Sequence, residues 1–345
     1  MRTYFRMSID TFDQLLERLH NSLQKNDTNM RECISLSPPE MLMVTLTYLA
    51  KGHTFVHLHE NFKLGISTVG VIIRCTCKAI WNELLQESMP ELTTQRLKKI
   101  AREYEFKANF PHCVGAMDGK HIRMIKPNRS GSLFFNYKEF FSIVLFAVVD
   151  ASYMFTYIDV GSYGKECDST IFQNSTLYGH PQHEQIKLPH PEPLSSTRSG
   201  DMLFVFVADE AFGLSPYIMR PYSGRNLPTP KRVFNYRLSR ARRYVECAFG
   251  ILSNKWRIFH RPLNVNTDLA IDIVKCCCIL HNFVRARDGG NASESIAVVD
   301  YEDVIIDITQ SQAITRVSAA NMIRDMFPDY FMSEEGALPW QLHVI

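Results

Sequence analysis

Residues 202–212 read MLFVFVADEAF, a short and continuous apolar run that ends in the acidic residue Asp209. A run of this kind, rich in Val and Phe, is typical of a β-strand that is buried on both faces. An earlier run, CVGAM at 113–117, has the same character and is followed by Asp118. Side chains at strand ends leave the core while their backbone stays fixed, so both aspartates are candidates for a functional site.

The surrounding sequence is rich in strand-like segments. Three β-branched or aromatic runs, separated by Gly, Pro, Asn and Ser, predict further strands: HIRMIK (121–126), FFSIVLFAVVD (140–150) and MFTYIDVG (154–161). Region 1–94 instead shows helical spacing of its apolar residues. The sequence therefore predicts an α/β protein with an all-helical amino-terminal part.

One stretch of that helical part, residues 55–80, has the layout of a helix-turn-helix. It predicts a short helix, a turn at Gly65 and a second helix capped by Ser67. DNA-reading domains use this layout, and so does any ordinary pair of packed helices. The second helix offers only Arg74 and Lys78 as evident contacts to DNA, so both interpretations stay open.

The clearest helix lies in FNYRLSRARRYVECAFG (234–250), where four arginines surround one acid, Glu246. Between residues 211 and 267 there are eleven Lys and Arg residues and no other acid. The apolar stripe of the helix is expected to pack on the sheet and to leave Glu246 at its rim. A basic surface attracts polyanions such as DNA. Five basic residues are expected to contact phosphates: Arg237, Arg240, Arg243, Lys255 and Arg257.

Asp118, Asp209 and Glu246 can converge on one site at the sheet. Converging carboxylates repel one another, and a bound divalent cation, Mg²⁺ or Mn²⁺, offsets the repulsion. Two such ions can activate a water and stabilise the leaving oxygen in phosphodiester cleavage. Spacing alone leaves alternatives, because Glu246 can also pair with Arg242 one helical turn earlier. Other acids compete for places in the site: Glu210, Asp150, Asp159, Asp168 and Asp201.

The totals describe an ordinary globular protein. The 345 residues are 46% hydrophobic and 21% charged, with a net charge of +2 and nine cysteines that include no CxxC pair. No apolar run is long enough to cross a bilayer, and the first residues lack the apolar segment of a secretory leader. We therefore expect a soluble intracellular protein with free thiols and no membrane association.

Five motifs carry a resemblance to a known family. The PIF/Harbinger family of transposases and their domesticated Harbinger-derived nucleases share the order and content of these segments. The resemblance is strong over residues 113–283 and weaker in the amino-terminal region. The motifs are GAMDGKHIRMIKP (115–127), DVGSYGKECDSTIFQNSTLY (159–178), VADEAFGLSPYIMRPY (207–222), FNYRLSRARRYVECAFGILSNKWRIFHRPL (234–263) and CCILHNF (277–283).

This resemblance implies an RNase H-like catalytic domain with a DDE triad that binds divalent metal. Matched motif by motif, the triad falls on Asp118, Asp209 and Glu246, which would serve as both catalytic residues and metal ligands. The implied activity is hydrolysis or transfer of DNA strands. His121 and Asp168 lie in the same motifs and are second-tier candidates.

The expected organisation has three parts: a helical domain with a helix-turn-helix at 1–94, an RNase H-like nuclease domain at 95–290, and an acidic, partly disordered tail at 291–345. The resemblance also implies DNA as substrate, a Myb-like DNA-binding protein as partner, and a homodimer. It implies the nucleus as the main location, with the cytoplasm as a second one. The alternative is a domesticated, catalytically silent DNA-binding or regulatory protein.

Overall fold

A computed structural model describes residues 2–24, 36–177, 188–194, 200–289 and 314–345. It confirms an α/β protein with a helical amino-terminal region. The helices are α1 (Arg2–Phe5), α2 (Ile9–Leu23), α3 (Pro38–Lys51), α4 (Phe55–Phe62), α5 (Ile66–Ser88), α6 (Thr94–Ala108), α7 (Asp168–Asn174), α8 (Thr229–Lys255), α9 (Thr267–Asp288) and α10 (Ile314–Phe331).

The strands form one mixed sheet and one small ribbon. In the main sheet the order is β3-β2-β1-β6-β7, with β1, β2 and β3 antiparallel and with β6 and β7 parallel to β1. Helices flank this sheet, and the arrangement is the RNase H-like one that the resemblance implied. The strands are β1 (Cys113–Arg123), β2 (Ser142–Val149), β3 (Phe155–Tyr163), β4 (Glu192–Pro193), β5 (Asp201–Met202), β6 (Val205–Val207) and β7 (Ile218–Met219).

Two strand boundaries differ from the prediction. CVGAMD and the first half of HIRMIK form one strand, β1, which ends at Arg123, so Asp118 lies in its middle rather than at its end. β1 continues because β2 pairs with it from Ala116 to Arg123. The run at 202–212 forms a strand only over β6, which stops two residues before Asp209.

The helix-turn-helix layout is present in α4 and α5, which meet at 103°. The second helix begins two residues earlier than predicted, with Gly65 rather than Ser67 at its cap. Arg74 donates to Oδ1 of Asn266 at 3.2 Å, and Nζ of Lys78 lies 4.0 Å from Oδ2 of Asp272. The two basic residues expected to face DNA are therefore directed towards the start of α9.

The sheet and the amino-terminal helices share one continuous core. Helix α9 packs on both α5 and β3, and it buries His281 and Asn282. Nε2 of His281 lies 2.8 Å from the carbonyl oxygen of Tyr153, while its buried Nδ1 has no hydrogen-bond partner among the described residues. The side chain of Asn282 bonds both backbone groups of Phe155, at 2.9 and 2.7 Å, and donates to the carbonyl of Ser88 at 2.9 Å. The domain limits at 94/95 and 290/291 stay a prediction.

The end of the chain differs from the expected tail. Residues 290–313 lie outside the described part, but α10 packs on α8 and its Phe327 and Phe331 are fully buried. Their rings lie 5.0 and 5.6 Å from the ring of Phe110. The carboxyl-terminal segment 314–345 is therefore part of the fold, because aromatic burial outweighs its acidic composition.

No single helix in the described ranges has both the length and the apolar composition needed to cross a membrane. Helices α4 and α5 meet those two criteria only when they are taken together across their bend.

Candidate active site

Two aspartates lie the same distance beyond the last paired residues of two neighbouring parallel strands, Asp118 within β1 and Asp209 just after the end of β6. Ala116 of β1 is in register with Val207 of β6, and Asp118 and Asp209 each follow two residues later. Side chains two residues apart on a strand point to the same face. Because β6 ends at Val207, the edge of β1 beside Asp118 carries no neighbouring strand on that side. The sheet thus leaves a notch that both carboxylates border.

Asp168 is the third carboxylate at this notch. It is the first residue of α7, which follows β3. Its carboxylate lies so close to the backbone of β1 that a Cβ built on Gly119 would be 2.0 Å from Oδ1 of Asp168. Because Gly119 has no side chain, the carboxylate of Asp168 can approach the backbone of β1 directly beside Asp118. The sequence marked Asp168 as second-tier, and its place beside Asp118 depends on a tertiary contact 49 residues away.

The electrostatics show that these acids are crowded. The pKa of Asp118 is raised to about 8. Desolvation is the largest cause, Arg242 and the amide of Gly119 oppose the shift, and the charges of Asp209 and Asp168 add to it. Desolvation and Asp209 likewise raise the pKa of Asp168 to about 6. Each shift means that negative charge is disfavoured at the site until a cation compensates for it.

Glu246 stands apart from these three acids. Its carboxylate is 46% exposed and pairs with Arg242, with 3.2 Å between Oε1 and Nη2. This is the pairing one helical turn earlier that the sequence left open. The charge of Arg242 also lowers the pKa of Asp118, so this guanidinium interacts with both Asp118 and Glu246, the first and third members of the predicted triad. That second interaction of Arg242 was not predicted, because it depends on which face of β1 meets α8.

That face can be identified from Lys120. Its Nζ lies 5.7 Å from the ring centre of Phe249 on α8, so the side chains of Lys120 and Asp118 share the α8 side of the sheet. Glu246 therefore lies on the helix that faces Asp118, although its side chain turns to Arg242.

The donor set fits a hard divalent cation. The three aspartates supply oxygen ligands, which Mg²⁺ and Mn²⁺ prefer, and the raised pKa values of Asp118 and Asp168 show a deficit of positive charge. In the arrangement described, no three His, Cys, Asp or Glu side chains of these ranges are already close enough together to hold an ion. For these acids to share one ion, the carboxylates would have to move closer together, and Glu246 would have to leave Arg242.

The predicted phosphate contacts divide into three groups. Arg243 and Arg257 are exposed, as a DNA contact requires. Arg240 is half-buried and lies 4.8 Å from the ring centre of Trp340, and Lys255 is also half-buried, where its charge acts on Asp288.

The prediction for Arg237 is wrong. This residue is only 2% exposed, and its guanidinium donates to the carbonyl of Gly336 at 2.7 Å and to Oε1 of Gln341 at 2.5 Å. It also lies 4.1 Å from the ring centre of Phe331. A buried arginine with these partners cannot reach a phosphate, so its role is to hold the carboxyl-terminal segment.

His121 takes the structural role that the sequence favoured. Its Nδ1 lies 2.9 Å from Oγ of Ser142 on the neighbouring strand. Desolvation and the charge of Lys138 lower its pKa to about 4, so the ring is neutral near pH 7.

The chain is similar to known proteins over the region that contains this site. Residues 117–282 match the family described as "DDE superfamily endonuclease", a range that contains Asp118, Asp168, Asp209 and Glu246. Endonucleases of this superfamily generally use divalent metals. The chain is also 28% identical over 291 residues to "Protein ALP1-like" of Arabidopsis thaliana, covering 81% of this chain and 69% of that protein. No solved structure matches the chain with statistical significance. Taken with the five sequence motifs and the RNase H-like sheet, these matches support the resemblance to Harbinger-type DDE superfamily endonucleases.

Proposed function

We propose that this protein is a divalent-metal-dependent endonuclease that cleaves DNA phosphodiester bonds by a two-metal mechanism, with strand transfer as a second reaction. The observation that carries the proposal is the notch beside β6, where Asp118 and Asp209 occupy equivalent register positions and Asp168 approaches through Gly119. The pKa values of Asp118 and Asp168 are raised in part by the charge of Asp209, and a site that crowds negative charge in this way needs cations.

In this proposal Asp118 and Asp209 hold the ions from the sheet, and Glu246 closes the site from α8. When bound, Mg²⁺ or Mn²⁺ would supply a nucleophile at neutral pH and stabilise charge on the leaving oxygen. Arg242 has two roles. Before metal binds, it offsets the charge of Asp118 and Glu246, and afterwards its freed guanidinium is available to a phosphate. The exposed Arg243 and Arg257 attract the DNA backbone.

We extend the proposal to the setting of the reaction, on the basis of family resemblance. DNA is the substrate, a Myb-like DNA-binding protein directs the nuclease to its target, and two copies of the chain act together in the nucleus. The position of Arg74 and Lys78 against α9 supports the need for such a partner, because the helix-turn-helix then presents few cations of its own.

The test is cleavage of end-labelled DNA in Mn²⁺, comparing the wild type with Asp209→Ala. We expect the wild type to cleave and the variant to lose at least about a hundred-fold in rate, because removal of a carboxylate ligand disrupts the metal site. Asp201→Ala, an exposed acid of β5, is the matched control and should cleave like the wild type. Equal cleavage by wild type and Asp209→Ala would exclude this site.

One observation favours the alternative of a catalytically silent DNA-binding or regulatory protein. The ion pair between Arg242 and Glu246 already satisfies the third acid without metal. If Mn²⁺ neither binds to the wild type in calorimetry nor supports cleavage, with or without the partner protein, the silent alternative holds.

A further inference from the structure

The connection between β1 and β2, residues 124–141, forms a surface that the proposed active site does not yet explain. We call it the aromatic-basic loop. Its apolar side chains are unusually open to solvent: Ile125 is 50% exposed, Leu133 37%, Phe135 40% and Tyr137 69%. Exposed apolar groups gathered on one loop mark an interaction surface.

The charge of this loop indicates the kind of partner. From Arg123 to Phe141 the sequence contains four cations and one acid, Glu139. Cations lie against rings here: Arg123 is 4.3 Å from the ring centre of Phe140, and Nζ of Lys138 is 5.4 Å from that of Tyr137. Interleaved aromatic and basic side chains are typical of surfaces that bind single-stranded nucleic acid.

The tip of the loop is held in place by a buried asparagine. Asn136 is 3% exposed, and its Oδ1 accepts from the amides of Lys138 and Phe140 at 3.0 and 3.2 Å. Its Nδ2 donates to Oγ of Ser142 at 3.0 Å. Tyr137 is therefore an exposed ring on a fixed turn, which lowers the entropy lost on binding.

The loop tip lies next to the candidate active site. The ring of Tyr137 is 5.6 Å from that of His121, which lies two residues beyond Gly119 on β1. Residues 119 and 121 share one face of the strand and are about 7 Å apart. Asp168 approaches Gly119 on that same face, so Asp168 and the exposed ring follow one another along it, whereas Asp118 lies on the α8 face of the strand. The charge of Lys138 acts on Asp168, as this placement requires.

We propose that Tyr137 stacks on an unpaired DNA base beside the cleaved bond, while Lys138 and Lys126 hold the adjoining phosphates. The substrate class rests on the proposed function. The structural step is separate: an exposed ring on a rigid turn, on the same face as Asp168 and beside the cation Lys138, suits a base that is out of the duplex. Stacking tolerates any base, so this surface recognises an open strand rather than a sequence.

Binding without cleavage tests the proposal. The probe is a short duplex with one unpaired 2-aminopurine, whose fluorescence is quenched by stacking, titrated in buffer containing a chelator so that no cleavage occurs. We expect Tyr137→Ala to weaken binding about ten-fold and to abolish the quenching. Tyr137→Phe keeps the ring and should restore both. The control is Phe106→Ala, which removes a ring that is 85% exposed on α6, and it should bind like the wild type.

Each outcome decides the matter. If Tyr137→Ala binds and quenches as the wild type does, or if the wild type shows no quenching, the stacking role is overturned and the loop is left to a protein partner. If Tyr137→Ala loses quenching while the wild type fails to cleave in Mn²⁺, the stacking role stands and the nuclease proposal fails.

Discussion

The hydrogen that Gly119 carries in place of a side chain leaves room for the carboxylate of Asp168. A methyl group there would lie 2.0 Å from that carboxylate, so Gly119→Ala must displace Asp168. A misplacement of about 1 Å in a catalytic site costs on the order of a hundred-fold in rate. We expect Gly119→Ala to lose about that much cleavage in Mn²⁺ while it stays folded.

Gly213→Ala is the control, because a Cβ at Gly213 meets nothing within 4 Å. Calorimetry with Mn²⁺ and thermal melting complete the measurement. Wild-type cleavage and Mn²⁺ affinity in Gly119→Ala would show that Asp168 has no part in the site.

The raised pKa of Asp118 makes stability depend on pH in the metal-free protein. The folded state keeps a proton on this carboxyl from its ordinary value of 3.8 up to about 8, whereas the unfolded chain has released it. The free energy of unfolding must therefore fall as pH rises through that window. Asp118→Asn has no proton to lose there, so its unfolding free energy should fall less steeply.

Urea unfolding in a chelator at about pH 5 and about pH 8 measures the difference. Asp201→Asn, an exposed aspartate, should follow the wild type. Parallel pH profiles for wild type and Asp118→Asn would mean that Asp118 titrates normally in the folded protein.

One side chain of helix α9, Asn282, forms hydrogen bonds both to the sheet and to α5. Asn282 is fully buried and bonds three backbone groups, on Phe155 and Ser88. Asn282→Ala leaves those groups buried without partners, and we expect it to lower the free energy of unfolding by about 3 kcal/mol. Denaturant unfolding should show no comparable loss for Asn254→Ala, an exposed asparagine of α8. A loss under about 1 kcal/mol in Asn282→Ala would mean that water replaces the amide.

The elements that the sequence predicted best are those with long uniform patterns. β2 is a continuous apolar run, and α8 keeps an apolar stripe over 27 residues. β7 has two residues, too few to show any periodicity. The end of β6 before Asp209 depends on where its neighbours stop, which no local pattern encodes.

The sequence was enough to select the acids of the candidate site, but it could not predict how their side chains contact one another and their neighbours. Motif resemblance selected Asp118, Asp209 and Glu246, but the approach of Asp168 and the position of Arg242 depend on tertiary packing. Arg237 is a different case. It lies three residues after Phe234 and four before Ala241, so helical spacing already placed it on the buried stripe. Its acceptors come from residues 336 and 341, about 100 positions later, and these could not be predicted.

Helix α10 packs on α8 and covers part of the hydrophobic core around Phe110 and Phe234. The apolar residues Ala320, Phe327 and Phe331 have helical spacing, but Pro328 between them obscured the pattern. We expect Phe331→Ala to destabilise the protein by about 3 kcal/mol, because its ring packs between Phe110 and Phe234. Met322→Ala removes a side chain that is 68% exposed on the same helix and should have little effect in thermal melting. Equal melting temperatures for the two variants would show that α10 adds nothing to the core.

The acceptors of Arg237 near residue 340 have a genetic consequence. Arg237 and Glu246 are nine residues apart on α8, about 14 Å along its axis. A nonsense mutation at codon 341 would remove Gln341, one of the hydrogen-bond acceptors of the Arg237 guanidinium. We expect the loss of this contact to shift α8, the helix that also carries Glu246. A stop codon at position 341 should therefore give a loss-of-function allele, even though every motif that carries the family resemblance remains intact.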